Sequence, residues 1–421
     1  MILIIFTHSY PYDFAAEQTF IDPEIQHLVK HFDRVVLVPK ICQGEKLPVP
    51  AAAEIDEHYA SFMQANSRPH QLINLTLRSR RFYEEIQNDI TILLHPSKTL
   101  KLVMFSSKAE LTRQWLIEWL GRQRIDAADC ILYSYWFDHL AAGLAMVKQE
   151  YPQVKVISRA HGYDIYEEYY FPYYWPYRHK TLEDMDRLFL ASEAGKMYFI
   201  EHYPDFVSKY ETAHLGIRDP EFVAQASQDG IFRIISCSAI VPVKRIGLLI
   251  DGLAAMAHLR PGQKFEWVHF GDGKDRRMLE RKLKRIFPQN ISGRFLGYMP
   301  NEEILRYYQK YPVDVFVNVS ETEGGAPVAI QEAASCGVPV IATSVGGNSE
   351  IVSAKNGALL PPSPTPEEIG LALLKLWDNP LLAAKMRQES RQVWQTSFNA
   401  DANYLAFAER LKSIRQERKV E

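Results

Sequence analysis

The chain has 421 residues, 47% of them apolar and 24% charged, and a formal net charge of −3 at pH 7. This length predicts roughly two or three domain-sized units with full cores, and the small charge excludes a global attraction to nucleic acid or an acidic membrane. Four scattered cysteines without metal-ligand spacing indicate reduced thiols in a cytosol. The opening MILIIF is too short for a signal peptide, and no later segment approaches about eighteen consecutive apolar residues. We therefore expect a cytoplasmic protein without transmembrane helices.

Short apolar runs alternate with helical patterns, which predicts parallel sheets with helices on both faces. In the first half the runs are Ile2–Thr7, Val35–Pro39, Cys130–Ser134, Lys155–Ala160 and Leu188–Ser192. In the second half they are Phe232–Ser236, Phe265–Phe270, Arg294–Leu296, Val313–Val319 and Val338–Thr343. The turn-rich segment 216–220 between the halves predicts a hinge. We expect an α/β protein of two doubly wound domains that bind ligands at the carboxyl ends of their strands, in the cleft between them.

Polar residues follow two predicted strands of the first half. His8 and Tyr10 come after the first strand, and Glu17 opens the helix behind them. His161 follows the Lys155–Ala160 run and precedes a glycine. A histidine in this setting is well placed to point into a ligand cleft, and a hydrogen-bonded loop histidine is the alternative interpretation.

Other segments of the first half have surface interpretations. Basic residues cluster at Arg78, Arg80, Arg81, Lys98, Lys101 and Lys108, the last three beside the apolar segment 102–105. They could dock on an anionic leaflet or form solvated helix faces. The aromatic segment 166–177 could stack on sugar rings or a lipid carrier, or pack on its own domain. Asp184-Met185-Asp186 resembles a metal-binding acidic pair but precedes a strand and lacks further ligands, so we interpret it as a helix end and predict no metal.

In the second half, three turns follow strands. Ser238 lies just past one strand, and Lys244 stands near the start of the next helix, where an ammonium can place a point charge on a diphosphate. Gly271 lies in a Gly-Asp-Gly turn, which is as consistent with a plain turn as with ligand binding. Gly297 and Tyr298 lie in a segment that leaves another strand.

The stretch 316–352 is the most informative part of the chain. It reads as strand, glycine turn, helix, buried strand and a second glycine turn. Pro327 is predicted as the first helical residue, where its missing N–H costs nothing. A helix start opened by Gly324 and Gly325 presents free N–H groups to a phosphate. Glu323 and Glu332 flank this position, and because acids repel phosphate, we expect them to bind neighbouring hydroxyls.

This stretch resembles the signature of the GT-B retaining glycosyltransferases of family 4. The similarity is carried by Ser320, Glu323, Gly324, Pro327, Glu332, Ala333, the segment 337–343 and Gly346-Gly347. That family usually has seven residues between its two glutamates, whereas here 324–331 make eight. Either the Gly324–Ala326 turn holds a one-residue bulge, which we favour because glycine tolerates the backbone angles, or Gly324 takes the first acid's place.

The resemblance implies a GT-B fold of two Rossmann-like domains facing across a cleft. The acceptor-binding domain would be 1–215, with a C-terminal helix 400–421 packing back on it. The donor-binding domain would be 216–399. No metal and no other cofactor is implied.

The resemblance also implies the donor site. Lys244 matches the family's phosphate-binding lysine, while Ala239 replaces a second expected cation unless Arg245 substitutes for it. Glu332 would take the ribose hydroxyls and Glu323 those of the sugar. The other implied donor contacts are Ser238, Gly271, Gly297, Tyr298, Gly324, Gly325, Ala326, Pro327 and Val328.

On the acceptor side, His161 matches the family's histidine near the transferred sugar and would orient and polarise hydroxyls rather than act as a nucleophile. Together with Glu323 and Lys244 it forms the predicted catalytic set, because positioning and charge neutralisation suffice for such a transfer. The implied acceptor contacts are His8, Tyr10, Glu17, Arg159 and Asp164. The family's glycine-rich loop is replaced by Ala15-Ala16-Glu17, which predicts a differently shaped acceptor pocket.

These features predict a metal-independent retaining hexosyltransferase that moves a sugar from a UDP- or GDP-sugar to a glycan or lipid-linked acceptor. A role in surface polysaccharide or lipopolysaccharide biosynthesis, peripheral contact with the inner membrane surface and no nucleic-acid partner complete the prediction. The alternatives are a nucleotide-sugar epimerase of the same fold or a non-catalytic sugar-binding scaffold. A phosphorylase would need a lysine motif for a pyridoxal cofactor, which the chain does not show.

Overall fold

The structure is a computed structural model that describes residues 1–14 and 17–416. Its strands are β1 (Ile2–Thr7), β2 (Arg34–Pro39), β3 (Ala53–Ile55), β4 (Cys130–Ser134), β5 (Lys155–Ala160), β6 (Arg187–Leu190), β7 (Tyr210–Thr212), β8 (Ile231–Cys237), β9 (Lys264–Phe270), β10 (Ile291–Gly297), β11 (Val315–Asn318), β12 (Val340–Thr343) and β13 (Gly357–Leu360).

The α-helices are α1 (Gln18–His31), α2 (His58–Ala65), α3 (Pro69–Arg78), α4 (Arg80–Asn88), α5 (Pro96–Gln123), α6 (His139–Met146), α7 (Arg178–Asp184), α8 (Glu193–His202), α9 (Ile246–Leu259), α10 (Arg276–Ile286), α11 (Asn301–Lys310), α12 (Val328–Ser335), α13 (Asn348–Ile351), α14 (Pro366–Trp377), α15 (Pro380–Ser397) and α16 (Ala400–Gln416). Short 3₁₀ helices occupy Ile90–Leu94, Ala127–Asp129, Val147–Gln149, Glu167–Tyr169, Pro204–Lys209 and Pro242–Lys244.

The strands form two sheets, and every strand pair in them is parallel. The orders are β3-β2-β1-β4-β5-β6-β7 and β10-β9-β8-β11-β12-β13. Each order reverses once, between β1 and β4 in the first sheet and between β8 and β11 in the second. Such a reversal opens a crevice at the carboxyl ends of the strands, where doubly wound sheets bind ligands. The predicted α/β class with two doubly wound sheets is confirmed.

Each sheet is buried on both faces, which explains why its strands are continuous apolar runs. Successive residues of a strand point to opposite faces. Ile4 and Phe6 of β1 therefore belong to one hydrophobic cluster, and Leu3 and Ile5 to another. In the second sheet, Ile234 and Ile235 separate in the same way.

The chain divides into two compact units. The first contains Met1–Ala213 and the segment from Tyr404 onward, described to residue 416, and the second contains His214–Asn403. In the first unit, Phe407 of α16 packs edge-on against Phe189 of β6, with ring centroids 4.9 Å apart. Among the described residues, no helix is both long enough and apolar enough to cross a bilayer.

Three strands of the structure were not predicted from the sequence. β3, β7 and β13 have three or four residues each and lie at or near sheet edges. The predicted strand at 313–319 is shorter in the structure, as is that at 338–343. Pro327 precedes α12 instead of being its first residue, and its carbonyl accepts the N–H groups of Ile330 and Gln331.

Candidate functional site

In the second unit, the loop after β8 is held by a chain of buried hydrogen bonds. The indole N–H of Trp267 donates to Ser236 Oγ (2.9 Å), which lies 2.8 Å from His269 Nδ1, and His269 Nε2 lies 3.1 Å from the Ser238 carbonyl. Burial lowers the pKa of His269 to about 4, so the ring is neutral at pH 7. A neutral ring can accept from the serine hydroxyl and donate to the Ser238 carbonyl, which fixes the predicted donor loop in place.

Gly271 and Gly297 hold two other loops against this one. Gly271 has φ +133°, and a Cβ there would lie 1.8 Å from the Ser238 carbonyl oxygen. Its N–H donates to the carbonyl of Gly297 (2.8 Å), which has φ +82°. The conformational freedom of glycine is therefore required at Gly271. Tyr298 follows with 79% of its surface exposed, open to a ligand.

Lys244 and Glu323 form an ion pair. Lys244 Nζ lies 2.6 Å from Glu323 Oε1, which also accepts from Asn318 Nδ2 at 3.1 Å. Lys244, Asn318 and Ser238 line one small crevice between the ends of β8 and β11. The two residues predicted to bind phosphate and sugar therefore stand together at the point where the strand order reverses.

Arg245 is held by backbone carbonyls at the edge of the site. It has φ +48°, and its guanidinium donates to the carbonyls of Val319, Ser320 and Pro362, each at 2.7 Å. Its charge stabilises the loop behind the site, and its role in place of the cation missing at Ala239 stays a prediction.

The turn before α12 presents unpaired backbone donors. Among the described residues, the N–H groups of Gly324, Gly325 and Ala326 find no acceptor. Neither Gly324 nor Gly325 has a positive φ, so the backbone of this turn does not require glycine's conformational freedom. Glycine is required instead at Gly346, where a Cβ would lie 1.9 Å from the Glu323 carbonyl oxygen.

Glu332 lies on α12 with only 4% of its surface exposed. Burial raises the pKa of its carboxyl to about 7, and a hydrogen bond from Asn301 at the start of α11 acts in the opposite direction. Burial and then the Glu332 charge raise the pKa of the Cys237 thiol to about 12, which places Glu332 beside the end of β8. Pro327 and Val328 lie one turn before Glu332, at the start of the same helix.

In the first unit, His161 follows β5 and lies between aromatic rings. Its ring centroid is 4.7 Å from that of Tyr135 and 4.4 Å from that of Trp136. Both ring nitrogens are shielded and have no hydrogen-bond partner among the described residues. Burial, and then the positive charge of Arg159, hold the pKa of His161 well below its usual range. A neutral imidazole with two unsatisfied nitrogens can donate to one hydroxyl and accept from another.

Two predicted acceptor contacts brace the loops around His161 from within. Asp164 is fully buried and accepts the N–H groups of His161 (2.8 Å), Gly162 (3.0 Å) and Phe137 (2.9 Å). Glu17, 3% exposed, likewise accepts the N–H groups of residues 8–10 and the indole N–H of Trp136.

Two other predicted acceptor contacts belong to the core. Arg159 is completely buried, pairs with Glu24 and lies over the ring of Phe407 at 4.1 Å. Tyr10 is 1% exposed. Asp164, Glu17, Arg159 and Tyr10 are therefore internal supports rather than surfaces offered to an acceptor, which corrects their predicted role.

His8 is the one predicted acceptor contact with an accessible side chain, which is 25% exposed. Its Nε2 lies 2.8 Å from Asp138 Oδ2, and its ring stacks on Trp136 with centroids 5.4 Å apart. Ala15 and Ala16 of the expected acceptor loop lie outside the described residues.

The surface interpretations change in part. Arg81 is buried and pairs with Asp184, and Asp186 pairs with Lys148 and Lys155, so the acidic pair is engaged in structural ion pairs. Leu102 and Phe105 are buried and do not form an apolar surface. Met104 of the same segment is exposed, and further exposed apolar residues lie nearby: Ile73, Leu77, Ile90, Leu93, Leu94 and Leu100.

The aromatic segment 166–177 divides between the two interpretations. Tyr166 and Tyr177 are buried, whereas Tyr169, Tyr170, Phe171 and Tyr173 are exposed. No group of three residues suited to holding a metal ion occurs within 1–14 and 17–416.

Asn301, Asn318 and His269 were not among the predicted site residues. Each is a single polar residue whose partner lies at a distance along the chain or in a following turn, and no local pattern indicates it. Asn318 had the strongest signal, because it ends a buried strand five residues before Glu323.

Comparison with known proteins adds a family match over part of the chain and a fold. The family model for glycosyl transferases group 1 matches residues 218–393. Over 215 residues the chain is 25% identical to the amylovoran biosynthesis glycosyltransferase AmsK of Erwinia amylovora, covering 49% of this chain and 51% of that protein. Over 190 residues it is 28% identical to a GDP-mannose-dependent monoacylated α-(1-6)-phosphatidylinositol monomannoside mannosyltransferase of Corynebacterium glutamicum, covering 44% and 47%. The matches thus span about half the length of these curated relatives.

Among solved structures, the Anabaena protein HepE in complex with UDP superposes with a TM-score of 0.63 at 16% identity, over 98% of this chain and 99% of HepE. HepE in complex with UDP-glucose gives a TM-score of 0.60 over 98% of this chain and all of HepE. At this identity, the likeness establishes the fold.

Proposed function

We propose that this chain belongs to the glycosyl transferases group 1 and transfers a sugar from a nucleoside diphosphate sugar to a glycan or lipid-linked acceptor. Residues 218–393 match the model of that family, and the chain has the GT-B fold. The transfer proceeds with retention of the anomeric configuration and without a metal ion. The reaction belongs to the synthesis of a surface polysaccharide or glycolipid.

The observation that carries this proposal is the set of polar groups near the point where the strand order of the second sheet reverses. The unpaired N–H groups of Gly324, Gly325 and Ala326 and the ammonium of Lys244 are suited to a diphosphate. Glu332, buried nearby on the same helix, is suited to two ribose hydroxyls. Anion-binding and hydroxyl-binding groups thus occur side by side, as a nucleoside diphosphate requires.

The same groups explain how the leaving diphosphate is stabilised. As the bond between sugar and phosphate breaks, negative charge accumulates on the departing oxygen. Fixed backbone N–H groups and a nearby ammonium stabilise this charge without reorganising, and such preorganised stabilisation supplies much of the rate enhancement of many enzymes. Lys244 must then exchange its partner Glu323 for the diphosphate, and the freed Glu323 carboxylate can accept hydroxyls of the sugar.

In the first unit, His161 binds hydroxyls of the sugar or the acceptor. Its two nitrogens are unsatisfied, and the rings of Tyr135 and Trp136 restrict its orientation. Since its pKa is held well below the usual range, it stays neutral and polarises hydroxyls by hydrogen bonding.

Relatives and structural neighbours support the substrate class. HepE was solved with UDP and with UDP-glucose, and the Corynebacterium relative is named for GDP-mannose. The Erwinia relative is named for the biosynthesis of amylovoran. We assign a UDP- or GDP-sugar as donor on this basis.

Peripheral contact with an anionic membrane is part of the proposal. The segment Ile90–Leu94 and the neighbouring start of α5 expose Ile90, Leu94 and Leu100, and Arg78 and Arg80 are exposed on the preceding helices. Apolar side chains beside basic ones are suited to the interface of an anionic leaflet.

The deciding experiment is a binding panel of UDP, GDP, ADP and their common sugars, measured by thermal shift and then calorimetry. A ligand that binds the native state raises its melting temperature. One nucleotide sugar should bind, and Glu332→Gln should weaken its binding by about tenfold or more. Absence of any nucleotide binding, or unchanged binding by Glu332→Gln, would reject the donor site.

A further inference from the structure

The first unit contains a cavity of about 520 Å³ just beyond the carboxyl end of β2. Its volume lies within the roughly 300–1,000 Å³ of ordinary ligand pockets. One wall is apolar and comes mainly from α3 and α5, with Leu72, Met104 and Leu111. Lys40 and Lys108 also line it and bring two positive charges. The cavity therefore combines an apolar wall with a cationic end.

Within the described part of the chain, neither of these two ammonium groups has a counter-ion. Among the residues that the structure describes, Lys40 Nζ and Lys108 Nζ make no hydrogen bond and no ion pair. Both side chains are half-buried. Burial lowers the pKa of Lys108, and the charge of Lys40 lowers it further. Two like charges held together in a partly desolvated cavity are unfavourable until an anion binds between them.

The nearby carboxylates are already engaged by other groups. Glu57, which also lines the cavity, accepts from Lys46 Nζ (2.6 Å) and from the Tyr12 hydroxyl (2.5 Å). Asp138, which acts on Lys108 from a distance, pairs with His8 at 2.8 Å. These carboxylates therefore do not neutralise the positive charge of the two lysines, which is available to an anionic ligand.

The cavity lies at the same edge of the sheet as the groups around His161. Lys40 follows β2, His8 follows β1, Trp136 follows β4 and His161 follows β5, and these four strands are neighbours in the sheet. Parallel strands end at one edge, so these side chains stand in a row. A ligand with its anionic end in the cavity can extend along this edge towards His161.

We propose that this cavity binds a phosphate group of the acceptor between Lys40 and Lys108, with an apolar part of the acceptor against Leu72, Met104 and Leu111. The inference rests on the proposed glycosyl transfer and gives its acceptor a chemical class, a phosphate-bearing molecule. The phosphate can come from a lipid carrier or from a phosphorylated glycan, and the apolar wall distinguishes the two.

The test uses calorimetry on the full chain with three probes: farnesyl diphosphate, inorganic pyrophosphate and uncharged farnesol. The nucleoside diphosphate that binds in the donor panel, taken here as UDP, saturates the donor site so that this site does not take up pyrophosphate. The variants are Lys40→Gln, Lys108→Gln and the double variant, and Lys30→Gln on the exposed face of α1 is the matched control. UDP affinity and melting temperature are measured for every protein.

We expect both phosphate probes to bind the wild type, each single variant to weaken them about tenfold and the double variant more, with Lys30→Gln unchanged. We expect farnesyl diphosphate to bind more tightly than pyrophosphate, which identifies a lipid-carried phosphate. Equal affinity would overturn the contact of the acceptor with Leu72, Met104 and Leu111 and would leave only a phosphate site, as for a phosphorylated glycan. The inference is overturned if neither phosphate probe binds, if the double variant binds them as the wild type does, or if farnesol binds as tightly as farnesyl diphosphate. UDP binding that survives in the double variant separates this result from failure of the proposed function.

Discussion

The carboxyl of Glu332 makes the stability of the protein depend on pH. Burial raises its pKa to about 7, against 4.5 for a free glutamate. A carboxyl whose folded pKa lies above its unfolded pKa stabilises the fold while it is protonated. This contribution is full below about pH 4.5 and is lost as the pH rises to about 7.

Glu332→Gln removes this dependence while it keeps the shape of the side chain. Between pH 5 and pH 8, the free energy of unfolding of the wild type should fall by roughly 2–3 kcal/mol relative to that of the variant. Urea denaturation at both pH values measures the difference. Parallel pH profiles for the two proteins would contradict the raised pKa of this buried carboxyl.

Lys244 and Glu323 should depend on each other for stability but not for ligand binding. Lys244→Ala leaves Glu323, whose side chain is 9% exposed, with Asn318 as its remaining partner, so the variant should lose about 1–3 kcal/mol. Adding Glu323→Gln should restore most of this stability without restoring nucleotide-sugar affinity. Lys282→Ala breaks a pair of the same length with the more exposed Asp251, away from the site, and is the control, which should cost less. Affinity that returns with stability would show that Lys244 acts only as a structural cation.

His161 should affect turnover rather than folding. His161→Phe keeps an aromatic ring between Tyr135 and Trp136 but removes both unsatisfied nitrogens. Removing one such polar group from an active site costs about a hundredfold in turnover. We expect kcat to fall by tenfold or more, with the melting temperature unchanged or higher and the KM for the donor little affected. Unchanged kcat would show that this histidine is only a packing residue.

At the scale of elements, the loops of the donor site are held by backbone contacts that tolerate no side chain. Gly271→Ala would place a Cβ 1.8 Å from the Ser238 carbonyl oxygen at a φ of +133°. The loops after β8 and β9 would have to separate, at a cost of about 1–3 kcal/mol and a loss of nucleotide affinity. Gly262→Ala, with nothing within 4 Å, should be nearly neutral. Equal melting temperatures of the two variants would contradict this packing.

The elements also show what the sequence can and cannot predict. β1 has its predicted bounds because Ile2–Thr7 is a continuous apolar run buried on both faces. β3 and β7 were missed because Ala-Glu-Ile and Tyr-Glu-Thr have neither the length nor the pattern of a buried strand. Residues that are close in sequence at the end of a strand need not belong to the same site. Arg159 lies two positions from His161, yet it points into the core, where Glu24 on α1 is its partner.

The donor site follows the same division. Lys244, Glu323 and Glu332 could be placed from the sequence because each belongs to a motif with a strand or helix boundary. Asn301 could not, because its contact with Glu332 joins α11 to α12. The partners of Arg245 could not be predicted either. Its guanidinium donates to the backbone carbonyls of Val319, Ser320 and Pro362, and backbone groups leave no signal in the sequence.

At the scale of the whole molecule, the predicted mechanism needs no metal. The leaving diphosphate would be stabilised by Lys244 and by the backbone N–H groups of the turn 324–326. We expect transfer activity to persist in excess EDTA and to gain little from added manganese. Product formation measured with and without the chelator tests this. Loss of activity that manganese restores would show that a divalent ion carries the charge stabilisation assigned to these groups.

The ion pair between Lys244 and Glu323 should let the protein distinguish a nucleotide sugar from the nucleoside diphosphate that remains after transfer. A nucleoside diphosphate without a sugar draws Lys244 away and leaves Glu323 with Asn318 alone, whereas the complete donor binds Lys244 through its diphosphate and Glu323 through its sugar hydroxyls. The protein would then bind the nucleoside diphosphate more weakly than the nucleotide sugar. Inhibition by the nucleoside diphosphate product should therefore be weak. It should become stronger in Glu323→Gln, because this variant has no carboxylate that loses its cation when the product binds.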